Sequence, residues 1–263
     1  MVIARFIDGI RFAALSVLLW IAAVPDALAE PMDGPRVLGG IESVPATLVA
    51  DQILREAYGR LDIPVKIQYL PSKRVRYLSR LGRLDGDLFR VRSMQDEYTR
   101  MVRVPAPLLT GYIHCAVGNP DDLHLCDNPS EVKGMVAMLK SVRVAEDYVQ
   151  ELGGKTLRVE RYRQIADLLR HGRVKLGLVS SIEGIAPFDW PNWENVVIRD
   201  KPLREFTLYH YIHSRYREDV DRLASVLGKM RESGWTEQVI SRFIRKHGVR
   251  MLVYRDPNGP AGE

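Results

Sequence analysis

The chain has 263 residues, 46% of them hydrophobic, and a formal net charge of +5. Because acidic and basic residues are mixed along the sequence and no dense block of Lys and Arg occurs, the composition argues against a nucleic-acid-binding protein. The modest positive charge favours solubility and is compatible with a preference for anionic ligands.

The first 29 residues have the pattern of a secretory signal peptide. Two arginines precede an apolar run over residues 12–24, Pro25 follows the run, and Ala27-Leu28-Ala29 supplies the small residues that a signal peptidase reads. A retained membrane anchor is the alternative, but thirteen apolar residues span only about 20 Å as a helix, against roughly 30 Å for the hydrocarbon core. We therefore expect cleavage after Ala29, which leaves 234 of the 263 residues, enough for one large or two small domains.

The exported part begins with two β-α units. Apolar side chains at helical spacing predict a helix over residues 48–61, and alternation predicts a strand over residues 64–70. A second helix is predicted from Pro71-Ser72, and a further strand over residues 88–91. Consecutive units of this kind predict a parallel sheet covered by helices. The side chains expected to face the core are Val65, Ile67 and Tyr69 in the first strand and Val75, Leu78 and Leu81 in the second helix.

A glycine turn joins the second helix to its strand. Residues 82–90 read GRLDGDLFR, in which Gly82 suits the left-handed backbone that ends a helix and the Asp-Gly pair suits a tight turn. Residues 105–109, PAPLL, follow. In this order the segment resembles the signature and the chain crossover of the family 3 extracellular solute-binding proteins, which serve bacterial uptake systems. The resemblance covers roughly residues 38–244.

The pattern of strands and helices restarts after the crossover. The predicted strands cover residues 112–117, 134–139, 157–159 and 208–212, and the predicted helices begin near residues 128, 140, 165, 220 and 235. Residues 172–179 repeat the glycine turn and strand of residues 82–90. The resemblance implies an α/β fold with two lobes, that of a type II periplasmic binding protein, with chain crossovers near residues 107–111 and 202–207.

The resemblance also divides the chain that follows the signal peptide. Residues 30–108 and 206–255 are expected to form the first lobe, residues 109–205 the second lobe, and residues 256–263 a flexible tail rich in Gly and Pro. Ligands of α/β proteins bind at the carboxyl ends of strands and at helix N-termini, where free backbone N–H groups favour anions. We therefore expect the ligand in the gap between the two lobes.

Cys115 and Cys126 are eleven residues apart in the exported part. In an oxidising compartment such a pair is expected to form a structural disulfide that closes a short hairpin. A metal site that also uses His114 and His124 is the alternative, although zinc prefers more Cys or His ligands at close spacing. We expect no metal and no cofactor.

Two positions argue against an ordinary α-amino acid as the ligand. Relatives that bind amino acids hold the carboxylate with an Arg shortly before the first crossover and the ammonium with an acid just after the second glycine turn and strand. Here Tyr98 and Ser180 stand at these positions, and Lys175 replaces the usual Asp of the second motif. A buried ammonium without an acidic partner costs several kcal/mol, so a zwitterion would bind poorly.

Arg90, at the end of the first glycine turn and strand, is the main positive candidate for ligand binding. An Arg at this position is expected to form a bidentate pair with a carboxylate or phosphate of the ligand. The alternative is an ion pair with Asp87 or Glu97. Arg74 lies near the start of the second predicted helix, where it either faces the gap or remains a solvated surface charge.

The second lobe is expected to offer a hydroxyl group at Ser141, which follows a predicted strand and opens a helix. The resemblance implies that this hydroxyl and nearby backbone N–H groups contact a ligand anion, while a simple helix cap is the alternative. Phe89, Tyr112 and Tyr69 lie at strand ends, where aromatic rings either stack on a ligand or pack in the core.

Catalysis has little support, because no Gly-x-Ser-x-Gly, His-Glu-x-x-His or phosphate-loop motif occurs. The leading hypothesis is a monomeric periplasmic protein that captures a small polar, anionic solute for a membrane permease. The alternative is a ligand-sensing partner of a membrane signalling protein. A third hypothesis, a dehydratase-like enzyme, would use Glu183 or Asp87.

Overall fold

The computed structural model describes residues 34–132, 134–140, 142–186, 193 and 195–248. Three predictions lie outside these ranges: the signal peptide of residues 1–29, the ligand contact at Ser141 and the flexible tail of residues 256–263. None of the helices within the described ranges combines the length and the apolar composition that crossing a membrane requires.

Strands and helices alternate along most of the chain. The first part comprises β1 (Arg36–Ile41), α1 (Pro45–Gly59), β2 (Val65–Leu70), α2 (Ser72–Arg80), β3 (Gly86–Val91) and the long strand β4 (Met101–Val117). The second part comprises α3 (His124–Asp127), β5 (Met135–Leu139), α4 (Arg143–Glu151), β6 (Lys155–Val159), α5 (Tyr162–Arg170), β7 (Gly177–Ile182) and β8 (Val197–Ile198). The chain then continues through β9 (Arg204–His213), α6 (Val220–Glu232) and α7 (Trp235–His247).

The nine strands of the described residues form one sheet, with the order β2-β1-β3-β9-β4-β7-β5-β6 and with β8 paired to β4. In the first half of the sheet, β1 runs parallel to β2 and β3, and in the second half β5 runs parallel to β6 and β7. An antiparallel strand follows each parallel set, β9 beside β3 and β4 beside β7. The chain thus builds the same arrangement twice, as the repeated glycine turn indicated.

Strands β4 and β9 connect the two halves and pair with each other in antiparallel fashion. Pro107 lies opposite Tyr209 and Gly111 lies opposite Phe206, so the two predicted chain crossovers are side by side. Register shifts interrupt the ladder on both sides of Pro107, as expected where proline removes an N–H donor from a strand. The crossover is therefore a two-stranded ribbon, and β4 is a single strand of 17 residues.

Each half of the sheet has its own hydrophobic core. In the first half, α1, α6 and α7 form one buried cluster with the sheet, so the last two helices pack back on the first half as predicted. In the second half, one cluster contains Cys115 and Met138 and another contains Ala116 and Ala137. Because neighbouring residues of a strand point to opposite faces, these two clusters cover both sides of the sheet.

The structure confirms the two glycine turns and corrects three details of the predicted elements. Gly82 and Gly172 adopt left-handed backbone, with φ of +68° and +62°. Tyr69 is 41% exposed because β2 is an edge strand, and Leu81 is 41% exposed because it lies just past the end of α2. The helix predicted from residue 128 is only a short 3-10 turn, Pro129–Glu131.

The predicted disulfide between Cys115 and Cys126 is present. It joins β4 to the short helix α3 instead of closing a hairpin. His114 and His124 are engaged separately: the ring of His114 contacts Ser181 Oγ, whereas Nδ1 of His124 lies 2.8 Å from the carbonyl oxygen of Asp121. Within the described ranges, no three His, Cys, Asp or Glu side chains are grouped so that they could hold a metal ion.

We expect the double variant Cys115→Ala/Cys126→Ala to lose about 3 kcal/mol of unfolding free energy, because the crosslink restricts the unfolded chain over a loop of about a dozen residues. Urea unfolding of the variant and of the wild-type protein, with and without reductant, measures the loss. Wild-type protein that is equally stable before and after reduction would contradict this expectation.

A buried polar contact fixes β9 against β3 and α1. His210 is fully buried, with Nδ1 2.8 Å from the carbonyl oxygen of Asp87 and Nε2 2.8 Å from the hydroxyl oxygen of Tyr58. Because a carbonyl oxygen only accepts, Nδ1 donates to Asp87 and Nε2 accepts from Tyr58. Burial lowers the pKa of His210 to about 4, so the imidazole is neutral in the folded protein near neutral pH.

The free energy of unfolding should therefore fall as the pH drops from about 6.5 to about 4, because the unfolded chain binds a proton at His210 that the folded chain resists. His210→Gln cannot titrate, so its pH dependence over this window should be flatter even though the variant is less stable near neutral pH. Urea unfolding across the window measures both slopes, and identical slopes would refute the assignment.

Candidate functional site

The topology brings strand ends and helix starts together at one edge of each half of the sheet. In a parallel β-α-β unit the helix runs back against its strand, so its N-terminus lies beside the carboxyl ends of the strands. The N-termini of α1 and α2 therefore lie at this edge in the first half, and those of α4 and α5 in the second. The side chains at these two edges form the candidate site.

In the first half, Arg90 of β3 reaches the N-terminus of α2. Its Nε donates to Asp87 Oδ2 at 2.7 Å, Nη1 donates to Ser72 Oγ at 3.0 Å, and Nη2 donates to the carbonyl oxygen of Ser72 at 3.3 Å. The Arg90 side chain is 12% exposed and that of Asp87 is 1% exposed. Of the two acids given as alternative partners of Arg90, the structure therefore pairs it with Asp87.

Tyr98 completes this buried group. Its hydroxyl donates to Asp87 Oδ2 at 2.6 Å, and its ring meets the ring of Tyr211 edge-on at 5.4 Å. Burial, and then the charge of Asp87, raise the pKa of Tyr98 well above its usual value. Burial alone would lower the pKa of Arg90, but the nearby Asp87 carboxylate outweighs it and the pKa is raised. Arg90 and Asp87 therefore form a buried ion pair.

In the second half, the equivalent strand and helix meet through hydroxyl groups. Ser180 of β7 and Tyr162, the first residue of α5, place their hydroxyl oxygens 2.5 Å apart. Tyr112 lies on the neighbouring strand β4, where it pairs with Ser181 of β7 on one side and Glu205 of β9 on the other. Burial, followed by the charge of Glu205, raises the pKa of Tyr112. This edge offers neutral donors and acceptors.

No protein-family profile matches the sequence. An uncharacterized protein of Shewanella oneidensis is 22% identical over 193 residues, which are 72% of this chain and 73% of that protein. Among solved structures, the amino acid transporter substrate-binding protein AbpA of Streptococcus pneumoniae, bound to L-arginine, superposes with a TM-score of 0.62 at 13% identity, over 83% of this chain and 97% of that one. These values show a shared fold.

Two further solved structures share this fold. A histidine kinase sensor domain described as similar to periplasmic binding proteins has a TM-score of 0.60 at 13% identity, over 80% of this chain and 96% of that one. The ancestral amino acid-binding protein AncCDT-1, a precursor of cyclohexadienyl dehydratase, has a TM-score of 0.60 at 14% identity, over 80% and 94% of the chains. The chain has the type II periplasmic binding protein fold.

The two halves of the sheet accordingly correspond to the two lobes of the periplasmic binding protein fold, and we call their two edges the two walls of the candidate site. An ion pair links the two halves: Arg143, the first residue of α4, binds the carboxylate of Glu97, which follows β3. Both side chains are at least one-third exposed, so the pair contributes at most about 1 kcal/mol. The pair therefore adds little to the stability of the contact between the two lobes.

A second contact lies where β7 ends beside the interlobe ribbon. Glu183 has left-handed backbone with φ of +52°, its N–H donates to the carbonyl oxygen of Thr110, and its Oε1 accepts from the N–H of Thr110 at 2.6 Å. Arg231 of α6 donates to the carbonyl oxygen of Leu108 at 3.1 Å and lies 4.0 Å from the Glu183 carboxylate. Burial raises the pKa of Glu183. The sequence suggested Glu183 only as a catalytic acid, whereas in the structure it binds the backbone of β4 at the interlobe ribbon.

The other predicted contact residues of the first lobe lie either in the core or on the surface. Phe89 is 4% exposed and belongs to the core of the first half, which is the alternative stated for it. Arg74 is exposed, with its guanidinium 6.0 Å from the ring centre of Tyr77. Tyr69 donates its hydroxyl to Asp51 on the surface of α1. Of the predicted set, Arg90 and Tyr98 are together in one wall, and Ser180 and Tyr112 lie on adjacent strands of the other.

Sequence reasoning missed Ser72 and Tyr162, which hold Arg90 and Ser180 in place. Ser72 is the first residue of α2 and Tyr162 the first residue of α5, and this shared position at a helix start is the signal that could have identified both. Two cavities of the second lobe lie elsewhere: one of about 70 Å³ beside Val149 is too small for a metabolite, and an open depression of about 560 Å³ lies beside Leu168.

We expect Asp87→Asn to lower the free energy of unfolding by about 3–5 kcal/mol, because it leaves the buried guanidinium of Arg90 without a counter-charge. Asp87→Leu/Arg90→Met removes both charges and should be less destabilising than the single change. Urea unfolding of both variants measures the difference, and a fully stable Asp87→Asn protein would contradict the assignment of a buried ionised pair.

Proposed function

We propose that the protein is a periplasmic solute-binding protein that closes its two lobes on a small polar, anionic organic solute and presents it to a membrane transporter. In this proposal residues 1–29 are a cleaved signal peptide, residues 30–108 and 206–255 form the first lobe, and residues 109–205 form the second. The observation that carries the proposal is the repeated strand arrangement with its two facing edges, joined by a ribbon about which lobes can rotate.

The preference for an anion follows from the helix starts of both lobes. Lys73 and Arg74 lie in the first turn of α2, and Arg161 and Arg163 flank the start of α5. All four side chains are exposed, and none forms an ion pair with another described residue. Because helix N-termini already carry partial positive charge, these cations add to a potential that attracts anionic groups to the cleft.

The proposed contacts are Arg90 and Arg74 in the first lobe and Ser180, Tyr112 and Ser141 in the second. Asp87 and Ser72 fix the plane of the Arg90 guanidinium through three hydrogen bonds. A guanidinium held in this way suits a carboxylate or phosphate, since little side-chain freedom remains to be lost on binding.

An ordinary α-amino acid fits this site poorly. The residue at the position of the carboxylate-binding arginine, Tyr98, is 2% exposed and donates inward to Asp87. The residue at the position of the ammonium-binding acid, Ser180, carries no charge and contacts Tyr162. Neither of these two described positions supplies a free acid for an ammonium group, and we propose a ligand without one.

Sensing is the second candidate function, and the similarity to a histidine kinase sensor domain is the observation that favours it. In that role the closed form would be read by a membrane signalling protein instead of a permease. The capture step is the same in both cases, so the cleft alone does not discriminate between them.

An enzymatic role receives less support from the contacts. Of the two acids suggested for a dehydratase-like reaction, Asp87 is bound to Arg90 and Tyr98 inside the first lobe. Glu183 binds the backbone of Thr110 at the interlobe ribbon. Neither carboxylate is positioned as a general acid or base in the cleft, because both are committed to protein partners.

The proposal predicts compaction on ligand binding. Native mass spectrometry of the protein purified from its own periplasm should reveal a bound small anion, and small-angle scattering should show a smaller radius of gyration when that compound is added to stripped protein. A protein that carries no small molecule and shows no compaction with pooled carboxylic acids and organic phosphates would refute the proposed capture function.

Ser180→Ala should weaken binding of the identified anion about tenfold or more, because a hydrogen bond to a charged group is lost. Ser130→Ala, an exposed change in the same lobe, is the matched control and should leave affinity unchanged. Isothermal titration calorimetry measures both, and equal affinities for the two variants would remove Ser180 from the contact set.

A further inference from the structure

The outward side of α2 carries positive charge without compensation. Residues 72–84 contain five cations and no acid, and the cations are Lys73, Arg74, Arg76, Arg80 and Arg83. Arg76 is partly exposed, the other four are exposed, and none of the five forms an ion pair with a described residue. The nearest acid in the sequence, Asp85, is bound to Arg215 at 2.6 Å. Lys73 and Arg74 lie at the start of α2, beside the proposed ligand site, so we call the surface formed by Arg76, Arg80 and Arg83 with Tyr77 and Leu81 the α2 face.

This charge pattern opposes the stability of the helix. Lys73 and Arg74 lie in the first turn, where the helix dipole favours acids, and α2 has no acid there. Arg76 and Arg80 are four residues apart and Lys73 and Arg76 three apart, so like charges repel along one side. These charges lower the stability of the helix, and no ion pair among the described residues compensates for them. We therefore look for their role in an interaction outside the helix.

Two apolar side chains lie within the charged surface. Tyr77 of α2 is 55% exposed, and Leu81, which lies four residues on and just past the end of the helix, is 41% exposed. The Arg74 guanidinium lies 6.0 Å from the centre of the Tyr77 ring. Arginine and tyrosine are enriched at the centres of protein interfaces, where an aromatic anchor is buried and arginines pair with partner groups.

We propose that the α2 face is a docking surface for an acidic patch on the extracytoplasmic side of a membrane protein, with Tyr77 as the central anchor and the flanking arginines paired to carboxylates. The inference rests on the proposed function, since it names the face through which the solute-binding protein meets its membrane partner. Guanidinium groups bind carboxylates in bidentate pairs, which gives such a contact orientation as well as attraction.

The composition of the surface favours a protein over a lipid bilayer. A helix that lies in a membrane interface turns a broad apolar side towards the lipid. Here the apolar side of α2, with Val75 at 0% exposure, is buried against the first lobe, and only Tyr77 and Leu81 are left outside. These two side chains can anchor the protein in a complementary pocket of a partner, but they offer too little apolar area for stable insertion into a membrane.

The test is a photo-crosslink from position 77 of the full-length protein in the cells that produce it. p-Benzoylphenylalanine replaces Tyr77, and mass spectrometry identifies the linked peptide. We expect a membrane protein segment that contains several Asp or Glu residues. Arg80→Glu/Arg83→Glu, at two exposed positions outside the proposed ligand contacts, should reduce the crosslink at least tenfold, and exchange of two of the partner's acids for Lys should restore it.

Arg242→Glu/Arg245→Glu is the matched control, because it makes the same change of charge on exposed positions of α7. This control should retain the crosslink, and thermal unfolding of each variant checks that it is folded. Absence of a crosslink, linkage to a phospholipid or to a second copy of this chain, or a crosslink that is insensitive to the Arg80→Glu/Arg83→Glu change would overturn the proposal.

Failure of this inference is distinguishable from failure of the proposed function. Ligand-induced compaction without the crosslink would refute docking through α2 and leave solute capture intact. A charge-dependent crosslink in a protein that binds no small anion would retain the docking surface and refute the capture function.

Discussion

The antiparallel pairing of β4 with β9 is the constraint on which the rest of the structure depends. Backbone hydrogen bonds between these strands continue from one lobe into the other, so the relative position of the lobes is set along a single ribbon. Register shifts on both sides of Pro107 weaken the ladder where the chain crosses. Glu183 and Arg231 brace the same region from β7 and α6, which limits bending to a narrow segment of the ribbon.

The two walls of the candidate site, which lie on either side of this ribbon, differ in their chemistry. The first lobe places an ionised pair, Asp87 and Arg90, inside the protein, although a buried ion pair is often no more stable than packed apolar groups of the same size. What such a pair provides is orientation, because the guanidinium is held by three hydrogen bonds. The second lobe uses the hydroxyls of Ser180 and Tyr162, which carry no charge and tolerate more than one donor and acceptor arrangement.

Much of the fold followed from local sequence patterns, because glycine turns and apolar periodicity are local. Gly82 and Gly172 marked equivalent turns, and the spacing of two cysteines in a chain with a predicted signal peptide predicted their disulfide. The partner of Arg90 was not decided by sequence, since the choice between Asp87 and Glu97 depends on a register shift within β3 and β9. The sequence identified the arginines of α2 as candidate surface charges, but it did not show that Tyr77 and Leu81 are exposed among them. Such features depend on which side of an element faces the core.

The likeness of the two lobes has a consequence for how such a molecule changes over evolutionary time. Substitution of either Asp87 or Arg90 lowers the stability of the protein, since it leaves the other charge unpaired in the interior. Substitutions at Ser180 meet no comparable barrier, because a neutral hydroxyl near the surface can be exchanged cheaply. We therefore expect new ligand specificities to arise by substitution in the second lobe, around Ser180, while the ion pair of the first lobe is retained.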